Sequence, residues 1–176
     1  MFQHPLFRIP FRYGLIGGVL GCMVIASLYY MGQHPFLVPW IVDFRIVIFS
    51  MFIFLSLKET RDNHLGGSLS FSQGMIGSYV FIGTSAIIGS VFTWCIATWD
   101  KNFLPSYISK TTEQVKAFQK EMVENFSAKN YQQQITELQS ASQLTLASDY
   151  FLKSLIIGLF LTIIISIILR KQTQPE

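Results

Sequence analysis

The chain of 176 residues is 51% hydrophobic and only 13% charged, with 16 Phe, 7 Tyr and 3 Trp. A charged share about half that of soluble domains leaves little material for a water-soluble core outside the apolar runs. The net charge of +3 is too small to point to nucleic acid.

Four apolar runs follow in order, at residues 13–31, 39–57, 74–99 and 150–169. Each reaches the roughly 20 residues that an α-helix needs to cross a bilayer core. The spacing predicts an all-α integral membrane protein with four transmembrane helices and a helical extracytoplasmic insert between helices three and four. Residues 1–99 hold the first three helices and a loop at 58–73, residues 100–149 the insert, and residues 150–176 the fourth helix and its tail. Arg8 and Arg12 ahead of the first run look like a signal peptide, and Val19-Leu20-Gly21-Cys22 looks like a lipoprotein box. The run continues past Cys22 to Tyr30, beyond the ~7–15 residues of a signal core, so it reads as a retained helix.

In the first run Gly14, Gly17, Gly18 and Gly21 form overlapping GxxxG pairs, a flat stripe on which another helix backbone can come close. Ser154, Gly158, Thr162 and Ser166 make a comparable stripe on the fourth. The match predicts that these two helices pack, within one chain or between copies. Gly74, Gly77, Ser78, Gly83, Ser85 and Gly89 supply further small positions on the third.

A short turn at 32–36 makes the first two helices an antiparallel pair, with Pro39 and Trp40 as the interfacial start of the second. Asp43 and Arg45 then fall in its first two turns. Ionisable residues inside a membrane are costly and often mark a pathway. Near a helix start, Asp43 favours the positive helix end and Arg45 snorkels outward. At i,i+2 the two point to different faces and are not a natural helical pair. After the second run, Gly66-Gly67 marks a break, and Ser70 or Ser72 caps the incoming helix. The third run, at about 26 residues, implies tilt or emergence from the lipid.

The insert reads as helix from about Thr112, with Thr111 and Gln114 placed as a capping box. Val115, Phe118, Met122 and Phe126, then Tyr131, Ile135 and Leu138, recur at three- and four-residue steps on either side of an interruption at 127–130. Its apolar face must lie on the membrane surface, the bundle or a partner.

Charge placement orients the chain. Arg8, Arg12, Lys58, Arg61, Arg170 and Lys171 flank the runs on one side, whereas the lysines of the 100–153 stretch are balanced by acids. The positive-inside rule puts both termini and the 58–73 loop in the cytoplasm and 100–149 outside.

The run Lys-Glu-Thr-Arg-Asp at 58–62, with Gly66-Gly67, Ser70-Phe71 and Gly74, resembles the signature loop of the bacterial membrane proteins grouped as domain of unknown function 4199. Tyr13-Gly14-Leu15 at the first span, the long insert and the basic C-terminus resemble the same family. The resemblance implies the four-span fold and brings no activity. It makes Arg61, Asp62, Gly66, Gly67 and Phe71 a candidate docking site, and Arg and Lys beside a membrane attract anionic lipid.

No residue set dictates a reaction. His4, His34 and His64 lie on different segments, with His34 on the opposite side of the membrane from the others. Cys22 and Cys95 fall inside spans at different depths and form neither a disulfide framework nor a zinc site. A Gly-x-Ser-x-Gly motif and a phosphate-binding loop are both missing from the sequence. The expectation is therefore a non-enzymatic membrane subunit, scaffold or assembly factor without catalytic residues, metal or cofactor. It would act through helix packing and its outer segment, with membrane lipid, other membrane proteins or further copies of itself as partners and no nucleic acid. The alternative is a small oligomeric transporter or channel that uses Asp43 and Arg45.

Overall fold

The computed structural model describes residues 4–37, 43–117 and 128–170, and these form helices joined by turns. In chain order they are α1 (Pro5–Tyr30), a 3₁₀ turn (Pro35–Leu37), α2 (Phe44–His64), α3 (Phe71–Trp99), α4 (Phe103–Ala117), α5 (Ala128–Gln139) and α6 (Gln143–Leu169). Helices α1, α3 and α6 are long and apolar enough to cross a membrane. At 1.5 Å per residue each measures about 40 Å, more than the roughly 30 Å of hydrocarbon in a bilayer. The protein is an all-helical, membrane-embedded chain. Among the described residues α2 does not join that set, because Arg45, Lys58, Glu59 and Arg61 interrupt its apolar length.

Helix boundaries depart from the apolar runs where capping decides them. Helix α1 starts well before residue 13, with Pro5 in its first turn and the His4 ring nitrogen accepting the Leu6 N–H at 3.3 Å. Proline suits a first turn because the N–H it lacks would have no partner there. Helix α2 starts at Phe44 rather than 39, since Asp43 is its N-cap; Pro39 and Trp40 lie outside the described residues. At α3 the cap is Ser70, which accepts from the Gln73 N–H while the Gln73 side chain accepts from the Ser70 N–H. The expected capping box at Thr111 and Gln114 is not formed. Helix α4 already begins at Phe103, and the Thr111 hydroxyl donates to the Tyr107 carbonyl within it. Of the predicted amphipathic stripe, Val115, Ile135 and Leu138 are half-buried, whereas Phe118, Met122, Phe126 and the Tyr131 side chain lie outside the described residues.

Helix α3 is the hub. It runs parallel to α1, with Gly14 against Thr84 and the Phe81 carbonyl, Gly18 against Ile88, and Ser85 Oγ donating to the Gly14 carbonyl at 2.9 Å. It runs antiparallel to α6, with Gly158 against Ile82, Gly74 against Ser166, and Ser90 Oγ donating to the Ala147 carbonyl at 2.8 Å. The two small-residue stripes therefore do not pack on each other along their lengths, as their similarity suggested; each seats on α3. A flat stripe shows that a helix backbone can approach and leaves the partner unspecified. Helix α2 completes the packing against α1 and α6. Phe49, Phe52, Ile53, Leu57, Phe81 and Ile82 form the buried centre. There Phe81 meets Phe49 edge-on at 5.5 Å and stacks on Phe52 at 6.4 Å.

This packing gives the molecule two ends. At the basic end, Tyr13 donates to Glu59 at 2.6 Å and Arg61 lies beside the last turn of α6. At the far end, Tyr29 donates to Asp100 at 2.9 Å, and α4 begins by covering a small apolar cluster of Ala97, Phe103 and Leu146.

Candidate functional site

Asp43 and Arg45 come together at the far end. Because Asp43 is the N-cap and stands outside the helix, its carboxylate is free to turn toward Arg45. It accepts the Arg45 backbone N–H at 2.9 Å and both Nε contacts at 2.9 and 3.0 Å, and forms an ion pair with Nη2. Helical i,i+2 geometry, which separates such residues, does not apply across a cap. The expectation that the two point apart is thus corrected. So is the expectation that Arg45 snorkels outward: the residue is 5% exposed.

The guanidinium points inward to α6. Its Nη1 donates to the Tyr150 carbonyl at 3.2 Å and to Ser154 Oγ at 3.1 Å, and its Cζ lies 4.9 Å over the Tyr150 ring. Tyr150 is held in turn. Its ring rests on Gly89, where any Cβ would overlap it, and Phe36 meets it edge-on at 6.1 Å. Ser154 thus serves as a hydrogen-bond partner as well as a small stripe residue, and Gly158, Thr162 and Ser166 continue the stripe along α3. Nothing in the sequence pattern singled out Tyr150 beyond its place at the start of an apolar run.

Beside the pair lies an apolar cleft of about 280 Å³, walled by Pro35, Phe36, Ile156 and Ile157 and edged by Lys153. Lys153 is paired with Asp149 at 2.6 Å. Both cations at the cleft are thus engaged with a carboxylate. Among the described residues no group of three or more His, Cys, Asp or Glu could hold a metal ion.

Helix α2 runs on through His64, so the loop expected at 58–73 is shorter and Arg61 and Asp62 stand in the last turns of the helix. Three residues of the second candidate set act on the backbone. Gly66 and Gly67 take φ of +60° and +78°, the left-handed region that side chains avoid, and the Gly67 N–H closes the turn on the Arg61 carbonyl at 2.9 Å. Arg61 bonds Asp62 at 2.7 Å and donates to the Leu169 carbonyl of α6 at 3.5 Å, favourable for a cation at a helix C-terminus. Phe71 opens α3 and stays 36% exposed. The two candidate sets therefore sit at opposite ends and do not converge.

The chain matches the family model described as Protein of unknown function (DUF4199) over residues 12–171, most of its length. It belongs to that family. The match takes in both candidate sets and the helices that carry them. No curated protein and no solved structure matches the chain.

His34 marks a further corner at the far end. It is buried between Tyr29, Phe36, Phe103 and Tyr107, with Nε2 at 3.3 Å from the Phe103 carbonyl and Nδ1 accepting the Phe36 N–H at 3.5 Å. Burial lowers its pKa to about 4; the Phe103 carbonyl opposes that shift and the Lys110 cation adds to it. Lys110 also donates to the Gly32 carbonyl at 2.7 Å, so α4 is fastened to the turn between α1 and α2. The sequence marked His34 only as a ligand that could not meet its fellows.

Proposed function

We propose that this family member is a four-span protein of a bacterial inner membrane that acts without catalysis, as a subunit, scaffold or assembly factor. In this reading α2 is the fourth span, since it runs between the two ends beside α1 and α6. Arg8, Arg12, Lys58, Arg61 and Arg170 gather at one end, which the positive-inside rule assigns to the cytoplasm. Helices α4 and α5 then lie outside. Their half-buried Val115, Ile135 and Leu138 belong to an amphipathic pattern suited to a partner.

One observation carries the choice of scaffold over transporter. Arg45 is engaged by Asp43, Tyr150 and Ser154, and the apolar block of Phe49, Phe52, Ile53, Phe81 and Ile82 lies between it and the basic end. A conducting path needs polar groups through the whole depth. Purification in mild detergent, with identification of co-purifying proteins, tests the reading. A complex of fixed stoichiometry with an unrelated protein, lost when residues 111–139 are replaced by a Gly-Ser linker, is expected. A clean homo-oligomer that carries solute across liposomes would contradict it.

A further inference from the structure

Along the far part of the α1–α3 seam lies a groove that has the form of a lipid site. Lower down, Gly14 and Gly18 hold the two parallel helices in close contact. Beyond Gly21 the glycines of α1 end, and a groove of about 500 Å³ lies between larger side chains of the two helices. That is the size of a small-ligand pocket. Its α3 wall is Phe92, Cys95, Ile96 and Trp99, an i, i+3, i+4, i+7 stripe on one helix face, and its α1 wall is Ala26 and Tyr30. Apolar walls give way at the helix end to Asp100 and Lys101. Trp99 and Tyr30, 86% and 78% exposed, stand at this boundary like the aromatic anchors of a membrane interface.

The charges choose the occupant. Asp100 keeps its negative charge, but its carboxylate is turned to donors within the protein, Oδ2 to the Tyr29 hydroxyl and Oδ1 to the Asn102 N–H, both at 2.9 Å. That leaves Lys101 as the charge to meet a headgroup. Lys101 is exposed and makes no hydrogen bond or ion pair among the described residues. An apolar slot that opens at interfacial depth onto a free cation complements an amphiphile with an acyl tail and an anionic head. We infer that this groove binds an anionic phospholipid, with an acyl chain between Ala26 and Phe92 and its phosphate on Lys101. The inference requires only that α1 and α3 are membrane helices, and stands apart from the scaffold reading and from the orientation.

The test uses the full chain with Trp40 and Trp94 replaced by Phe, leaving Trp99 as reporter, in vesicles of equal parts phosphatidylglycerol and phosphatidylcholine. Either lipid carries dibrominated acyl chains in turn. Brominated phosphatidylglycerol should quench Trp99 with about fivefold the affinity of brominated phosphatidylcholine, the preference one lysine near anionic lipid supplies. Lys101→Gln should equalise the two, and Ala26→Phe, which fills the slot, should weaken quenching by both. Equal quenching in the unmodified groove, or a preference that survives Lys101→Gln, would overturn the assignment. Quenching by neither lipid would mean that protein covers the groove, which also overturns it. A companion carrying only Trp94 separates that result from failure of membrane insertion, since Trp94 is 48% exposed outside the groove and should be quenched by both lipids.

Discussion

Arg45 and Arg61, at opposite ends of α2, make the same connection: each bonds a neighbouring aspartate and donates to a backbone carbonyl of α6, Tyr150 for one and Leu169 for the other. The two differ in environment. Arg61 has a partly exposed side chain, while Arg45 is buried and the Asp43 side chain is only 11% exposed. An exposed pair contributes little, so the weight of this connection falls on Arg45.

Removing one member of a buried pair leaves the other charge uncompensated. Arg45→Met should therefore cost about 3 kcal/mol, and Asp43→Asn a comparable amount. The double variant should recover part of the loss, because neither charge then remains alone. Reversible unfolding in mixed detergent micelles measures all three. Additive losses in the double variant would mean that the two side chains do not interact.

Glycines on α3 should divide sharply. At Gly89 a Cβ would overlap the Tyr150 ring, and at Gly74 it would come within 2.8 Å of Ser166 Oγ. Gly89→Ala should cost about 1–3 kcal/mol, as overpacking does. At Gly83 a Cβ meets nothing within 4 Å, so Gly83→Ala should change stability by less than about 1 kcal/mol. The same unfolding assay reads both, and equal effects would refute the close α3–α6 contact.

Gly67 should resist substitution for a backbone reason. At φ +78° a Cβ has open space around it but an unfavourable conformation. Gly67→Ala should cost about 1–2 kcal/mol. An Asn at the same position should cost less, since Asn tolerates left-handed backbone. An Ala variant as stable as the parent would show that the turn relaxes.

His34 predicts an acid-sensitive corner. Its folded pKa is lowered to about 4 from the ordinary 6.5. Between those values the unfolded chain binds a proton that the folded chain refuses, so stability rises with pH across this window. Its contribution is complete above about pH 6.5 and falls as pH drops toward 4, by a loss on the order of 3 kcal/mol. His34→Gln, measured against the parent from pH 4 to 7.5, should flatten the slope. An unchanged slope would place the titrating group elsewhere.

All four apolar runs were legible as helices, three of them long and apolar enough to cross a membrane, because hydropathy alone specifies a long apolar segment, and Gly66-Gly67 announced its turn through the backbone it permits. The pairing of Asp43 with Arg45 was not legible. It depends on where α2 starts, and the apolar run began several residues too early. The start of α4 was hidden in the same way, since Phe103 and Leu104 belong to a cluster that only the folded far end creates. The stripes on α1 and α6 were visible, but their common partner on α3 was not, because smoothness carries no address. Tyr150 became part of the site only through Gly89 and Arg45, which lie far from it in the chain.

In the proposed function the Asp43–Arg45 pair ties helices together and does not carry solute. Proton and ion flux through liposomes reconstituted with the full chain, beside an Asp43→Asn variant, tests it most directly. Flux should be no higher than in empty liposomes for both proteins, with the variant less stable. Flux through the parent that disappears in a fully folded Asp43→Asn protein would contradict it.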